Sequence, residues 1–313
     1  MTSLRPLLQE QIHQVDARVY SAEGTYSAER DEIRRAVAFV DELCGRLGLG
    51  ELERNLNPGT GKPQLLLLMR DAQGERVVLK VYGRLRPNEA AVQGLWWEEG
   101  VATVRVLDSG DDPVSWLLMP YVTGIVPAPA DRPALTTDVA RIMAAAHRIY
   151  RSNVGNPRDL YTGVGVHLRN VLAAVTRHRY IIPSDVDAKA AEVMRSDAPT
   201  FLHGDLTAVN LLRGPDGLRV LDTCGYTGPA EFDAARWCAR VGTSRGAVEA
   251  LGRWLDVETA LDPNLARRLL GLELLMEAGV REIVKEERGL PWAERDDETQ
   301  RLLHVGAELG TAT

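Results

Sequence analysis

Four polar side chains with chemical potential, His203, Asp205, Asn210 and Asp222, lie within one short stretch, FLHGDLTAVNLLRGPDGLRVLD, residues 201–222. Phe201-Leu202 leads into His203-Gly204-Asp205, and Leu211-Leu212 follows Asn210. The run Arg213-Gly214-Pro215-Asp216-Gly217 is strong turn chemistry. Residues 218–221 then read as a second strand that ends at Asp222. A hairpin made this way can bring Asp205, Asn210 and Asp222 to one end. Two carboxylates and an amide there suit a general base beside a hard-cation site. Mg²⁺ takes oxygen ligands, often together with substrate phosphates.

The same set is the core of the phosphoryl-transfer template of kinases, in which one Asp takes the substrate hydroxyl proton while an Asn and a second Asp hold Mg²⁺. The segment resembles the HGDxxxxN motif and downstream metal-binding Asp of the aminoglycoside phosphotransferase family, a protein-kinase-like group. The longer run DTCGYTGPAEFD, residues 222–233, resembles the streptomycin and hydroxyurea resistance kinases within it. Thr207 stands where the family usually has His, and Val209 where it usually has Gly. Thr223 and Cys224 replace a Pro-Lys pair frequent in the subgroup.

The resemblance implies Asp205 as the base or hydroxyl-orienting group, Asn210 and Asp222 as Mg²⁺ ligands, and ATP or GTP as donor. It implies transfer of the γ-phosphoryl group to a hydroxyl of a small molecule, an aminoglycoside-type or other antibiotic. A neutral sugar, nucleoside or other natural product is the alternative acceptor, and a silent nucleotide-binding module is a third reading. No activation-loop or APE signature follows Asp222, which argues against a protein substrate.

Such a site needs a lysine for the nucleotide phosphates. Residues 65–69, LLLLM, and 76–82, RVVLKVY, flank the turn DAQG and read as a hairpin. Lys80 lies in its second strand between apolar neighbours, and it is one of only four lysines among 37 basic residues. A compact ammonium suits the α- and β-phosphates. The alternative is a snorkelling Lys on an edge strand. Glu89 follows at the start of an amphipathic pattern marked by Pro87 or Asn88, where it can pair with Lys80 or compensate the helix dipole. Glu98 and Glu99 are weaker rivals near the end of that helix.

Asn57-Pro58-Gly59-Thr60-Gly61-Lys62-Pro63 is not a Walker loop. Leu56 stands where a Gly is needed, Pro63 where Ser or Thr would bind Mg²⁺, and a strand follows instead of a helix. It reads as a tight loop between the first two strands. Gly59 and Gly61 allow close backbone approach to phosphates and Thr60 can donate to them; a plain surface turn is the alternative. Residues 104–107 and 116–119 read as two further strands with a turn between them. The resemblance puts a nucleotide hinge at Met119 and Tyr121.

The architecture expected is α+β, a bilobal protein-kinase-like fold. Residues 1–122 form an N-lobe, a five-stranded antiparallel sheet with a helical extension, and residues 123–313 a mainly helical C-lobe. Helices are expected over residues 28–48, 135–150, 167–176, 184–195, 230–241 and 263–288. His147 and Asp233 read as structural, the first through packing and a hydrogen bond, the second by bracing the catalytic loop. Glu273 and Glu277 lie on one face of the last helix, where acidic groups would suit a cationic acceptor; a solvated face with an i,i+4 pair such as Glu277–Arg281 is the alternative.

At 313 residues the chain has room for two domains, and 45% hydrophobic content is ordinary for a globular protein. A net charge of -7 argues against nucleic-acid binding and fits the steering of cationic small molecules. Cys44, Cys224 and Cys238 show no metal-site spacing. With neither a signal-peptide pattern nor a membrane-length apolar run, a cytoplasmic setting is expected.

Overall fold

A computed structural model describes residues 4–16, 27–56, 64–150, 154, 158–160, 191–194, 199–287 and 297–311. The expected helices at 167–176 and, for the most part, 184–195 lie outside them. The chain divides into two compact units, Met1–Ala90 with Val104–Thr123, and Ala91–Thr103 with Gly124–Thr313.

The first unit is built on a five-stranded sheet of order β1-β2-β3-β5-β4, in which every neighbouring pair is antiparallel. Its strands are β1 (Leu52–Asn55), β2 (Leu65–Arg70), β3 (Arg76–Val81), β4 (Asp108–Gly110) and β5 (Trp116–Pro120). Alternation along β2 and β3 sends Leu65, Leu67, Met69, Val77, Leu79 and Val81 to a common core. Helices α1 (Arg5–Asp16) and α2 (Ser27–Arg46) add Leu8, Ile33, Val37, Val40 and Leu43 to it. The β2–β3 hairpin forms as its sequence indicates. Asp71 closes the turn, its carboxylate accepting from Gln73 N and Glu75 N at 2.9 Å each.

The expected strand at residues 104–107 forms later in the chain. The ladder runs over Asp108–Gly110, paired with Leu118, Leu117 and Trp116, and only Leu107 N reaches back to Leu118 O, at 2.8 Å. Gly110 faces Trp116 in that ladder, and an added Cβ there would meet the Trp116 indole at 2.7 Å.

The second unit is mainly helical: α4 (Arg132–His147), α5 (Glu231–Cys238), α6 (Ser244–Val257), α7 (Pro263–Glu287) and α8 (Asp297–Thr311). Most of α3 (Pro87–Glu98) also belongs to it. Trp96, Met143, Phe201, Phe232, Trp237, Trp254, Leu270 and Leu274 are in its core. Two small sheets hold the loops that matter. One joins β6 (Arg158–Asp159), β10 (Tyr226–Gly228) and β7 (Thr200–Leu202); the other is the hairpin of β8 (Leu211–Gly214) and β9 (Gly217–Val220). Residues 263–287 form one continuous helix. Among the described residues, no helix is long and apolar enough to cross a membrane.

Candidate active site

The loop after β7 is shaped by its glycine. Gly204 has φ 77°, and a Cβ there would lie 2.6 Å from the Tyr226 ring and 3.0 Å from Cys224 Cβ. Glycine alone accepts that dihedral and that approach without cost. Asp205 follows, and a 3-10 turn over Ala208–Asn210 brings the chain to β8. Asn210 Nδ2 donates to the Asp205 carbonyl at 2.8 Å and to Asp205 Oδ2 at 3.2 Å.

Asp222 is brought to the same loop by the backbone. Leu221 N donates to Asn210 O at 2.8 Å, His203 Nε2 to Leu221 O at 2.7 Å, and Cys224 N to His203 O at 2.7 Å. Thr223 Oγ1 donates to Leu202 O at 3.1 Å. Asp222 itself adopts φ 66°, a left-handed conformation uncommon outside glycine but tolerated best by Asp and Asn. Strain of this kind costs on the order of 1–3 kcal/mol and persists where surrounding bonds over-determine it. The Asn210 amide and the Asp222 carboxylate are hard oxygen donors held to one loop, and that donor set fits Mg²⁺.

Asp205 has a partner that the sequence did not flag. Arg236 of α5 extends Nη2 to Asp205 Oδ1 at 3.0 Å and Nη1 to Glu273 Oε2 at 3.0 Å. Arg240 Nη1 reaches the same Glu273 oxygen at 3.2 Å. Burial works to raise the Asp205 pKa, but the charges of Arg236 and Arg240 outweigh it and hold the carboxyl well below the usual range. The signal for Arg236 was available: a lone Arg between Ala235 and Trp237 in an otherwise apolar segment, where a buried charge requires a partner.

The exposed acidic face expected around Glu273 and Glu277 is corrected in part. Glu273 is 1% exposed and neutralised by Arg236 and Arg240, because α7 packs against α5. Glu277 is 19% exposed and makes the i,i+4 pair with Arg281 at 3.2 Å. Asp233 accepts His203 N at 2.7 Å and Gly204 N at 2.9 Å. It braces the loop, as its position at the start of α5 indicated. Cys224 is half-buried.

In the first unit, β3 is the central strand, and Lys80 pairs across it with Leu66 and Leu117. It is not a snorkelling edge residue. Lys80 Nζ lies 2.6 Å from Glu89 Oε1, with both side chains buried. It also lies 4.7 Å above the Tyr82 ring, a cation–π contact that sequence reading missed. Glu89 is in the first turn of α3, while Glu98 and Glu99 are exposed. Met119 is the penultimate residue of β5, and Tyr121 N donates to Arg76 O at 2.9 Å. Gly59, Thr60 and Gly61 lie outside the described residues.

An antiparallel five-stranded sheet carrying a buried Lys–Glu pair, and a helical unit carrying Asp205, Asn210 and Asp222 on one loop, define a small-molecule kinase of protein-kinase-like fold. A sequence model of the APH phosphotransferase enzyme family matches residues 66–269, and the chain belongs to that family. Solved structures share the fold at low identity. A choline/ethanolamine kinase family protein from Mesorhizobium loti is 15% identical, with 88% of this chain and 95% of that one covered at a TM-score of 0.54. Choline kinase LicA from Streptococcus pneumoniae is 13% identical, covering 87% and 97% at 0.55. A candidate aminoglycoside phosphotransferase from Ralstonia eutropha is 13% identical, covering 87% and 95% at 0.50. No curated protein sequence matches the chain.

Proposed function

We propose that this enzyme transfers the γ-phosphoryl group of ATP to a hydroxyl of a cationic small molecule, an aminoglycoside-type antibiotic or amino sugar, in the cytoplasm. The observation that carries the chemistry is the state of Asp205. Its carboxylate is ionised, Oδ1 is committed to Arg236, and Oδ2 lies beside the Asn210 amide on a side chain still 42% exposed. An ionised, fixed carboxylate orients a hydroxyl and accepts its proton as the new O–P bond forms. Lys80, aimed by Glu89, holds the α- and β-phosphates. Backbone groups near Met119 and Tyr121 hold the base. Asn210 and Asp222 would hold Mg²⁺, which when bound neutralises charge on the phosphate oxygens.

The acceptor class is supported by the net charge of -7 and by the DTCGYTGPAEFD run. The second reading, a neutral sugar, nucleoside or other metabolite, is favoured by the burial of Glu273, which removes one carboxylate from the surface that would attract a polycation. An ATP-consumption screen over antibiotics, amino sugars, nucleosides and simple sugars, with mass analysis of each hit, decides between them. A cationic acceptor should show an apparent affinity that falls with ionic strength, and a neutral one should not. Phosphorylation of neutral compounds alone would refute the cationic assignment and leave the chemistry standing.

A further inference from the structure

His147, the last residue of α4, has a carboxylate on each ring nitrogen. Nδ1 lies 2.7 Å from Glu258 Oε1, and Nε2 lies 3.2 Å from Asp233 Oδ2. The side chains of His147, Asp233 and Glu258 are 4%, 0% and 7% exposed. A carboxylate only accepts hydrogen bonds, and a neutral imidazole has a single N–H. Both contacts are satisfied together only when both ring nitrogens carry protons.

The carboxylates are poor places for a proton, because donors already surround them. Asp233 accepts His203 N and Gly204 N, and Glu258 Oε2 accepts Trp254 Nε1 at 2.8 Å. The other charged groups on the neighbouring elements are engaged elsewhere or exposed. Arg236 of α5 is on Asp205 and Glu273, Arg253 of α6 is on Pro133 O, and Arg219 of β9 is on Thr103 O and Asp216. Asp256 and Glu249 of α6 are exposed. The buried cation facing Asp233 and Glu258 is therefore the imidazolium.

We propose that protonated His147 is a positioning residue for phosphoryl transfer, fixing Asp233 and, through it, the His203-Gly204 backbone that carries Asp205. The proposal rests on the reading of Asp205 as the group that receives the hydroxyl. Burial of the ring lowers its pKa, but the hydrogen bonds it donates to Asp233 and Glu258, with their negative charges, outweigh this and raise it to about 9. Loss of that proton leaves two buried carboxylates and one N–H. Whichever carboxylate keeps the N–H, the other faces a lone pair, and where Glu258 keeps it Asp233 loses its bond to the ring.

The test is NMR of the full chain, labelled with ¹⁵N at its six histidines and at backbone amides. At pH 7 both His147 ring nitrogens should carry protons. As pH rises, the ring should titrate near 9, and the His203 and Gly204 amide signals should move with the same midpoint. His147→Gln should abolish that movement. With MgATP and streptomycin as probe substrates, kcat should fall along the same alkaline limb. In His147→Gln it should be lower by roughly tenfold at pH 7, the scale of a lost charged hydrogen bond, with KM for ATP unchanged.

An unprotonated ring nitrogen at pH 7, or loop amides that ignore the titration, would overturn the proposal. If His147→Gln does not fold, the wild-type titration still decides. If streptomycin is not phosphorylated, an acceptor found in the screen takes its place in the kinetic arm, and the NMR result is judged by itself. Asp205→Asn separates the two claims, since turnover retained in that variant refutes the role of Asp205 and leaves the loop titration to be judged independently.

Discussion

The Lys80–Glu89 pair and the Asp205–Arg236 pair show two ways to fix a functional charge. Lys80 and Glu89 are sealed, with side chains 5% and 3% exposed at 2.6 Å, and the Tyr82 ring closes one side of the ammonium. Asp205 is 42% exposed, with Oδ1 on Arg236 at 3.0 Å and Oδ2 accepting a longer bond from Asn210 at 3.2 Å, while Arg236 is 10% exposed and shared with Glu273. A sealed pair gives rigidity, and losing either partner strands a buried charge. A half-open pair keeps one oxygen available for a reactant, and water can compensate for a lost partner.

Variants should separate the two regions accordingly. The largest effect is expected for Asp205→Asn, which preserves shape and removes proton acceptance. Steady-state assays should show turnover reduced by about 10²–10⁴, with the thermal midpoint nearly unchanged. Near-normal turnover would break the assignment of the half-open pair.

Glu89→Ala should cost stability as well as activity. Removing the carboxylate from the buried Lys80 ammonium costs about 3–5 kcal/mol, read by urea denaturation. The double replacement Lys80→Met with Glu89→Leu should regain most of that stability and none of the activity. A single Glu89→Ala variant as stable as the parent would show that the pair is not sealed in solution.

Arg236→Lys is expected to be intermediate. A lysine cannot span Asp205 and Glu273 together as the guanidinium fork does, so kcat should fall by roughly tenfold while KM for ATP holds. The Asp205 carboxyl should stay below its ordinary range, because the lysine keeps the positive charge that depresses it and Arg240 remains nearby. An unchanged kcat would mean that the tether is incidental to turnover.

Stability should also depend on pH. The folded His147 pKa of about 9 lies above the ordinary value of 6.5. Its contribution is therefore complete below about pH 6.5 and is lost as pH rises through about 9, by on the order of 3 kcal/mol in all. Urea midpoints at pH 7 and pH 10 should differ in the parent and converge in His147→Gln.

Local chemistry made much of this molecule legible from sequence. Two apolar runs with Asp71 and Gly74 between them marked the β2–β3 hairpin, and the Gly214–Gly217 turn marked β8 and β9. Asp205, Asn210 and Asp222 could be read together because their spacing within one loop and hairpin leaves few other arrangements. The β4 register could not be read from the apolar run at residues 104–107, because the ladder forms at Asp108–Gly110 through contacts with β5, among them the close approach of Gly110 to the Trp116 indole.

The sequence by itself determined the family, the reaction class and the pairing of Lys80 with a nearby acid. Each follows from residues close in the chain, whose backbone geometry is set by short-range sterics and hydrogen bonding. Only the tertiary structure decided what surrounds those residues. It buried Glu273 against two arginines 33 and 37 positions away in the chain, gave Asp205 its Arg236 tether, and set His147 between carboxylates 86 and 111 positions distant. Charges that far apart in sequence meet only when helices pack, and in a low-dielectric interior each must find an opposite partner or lose its charge.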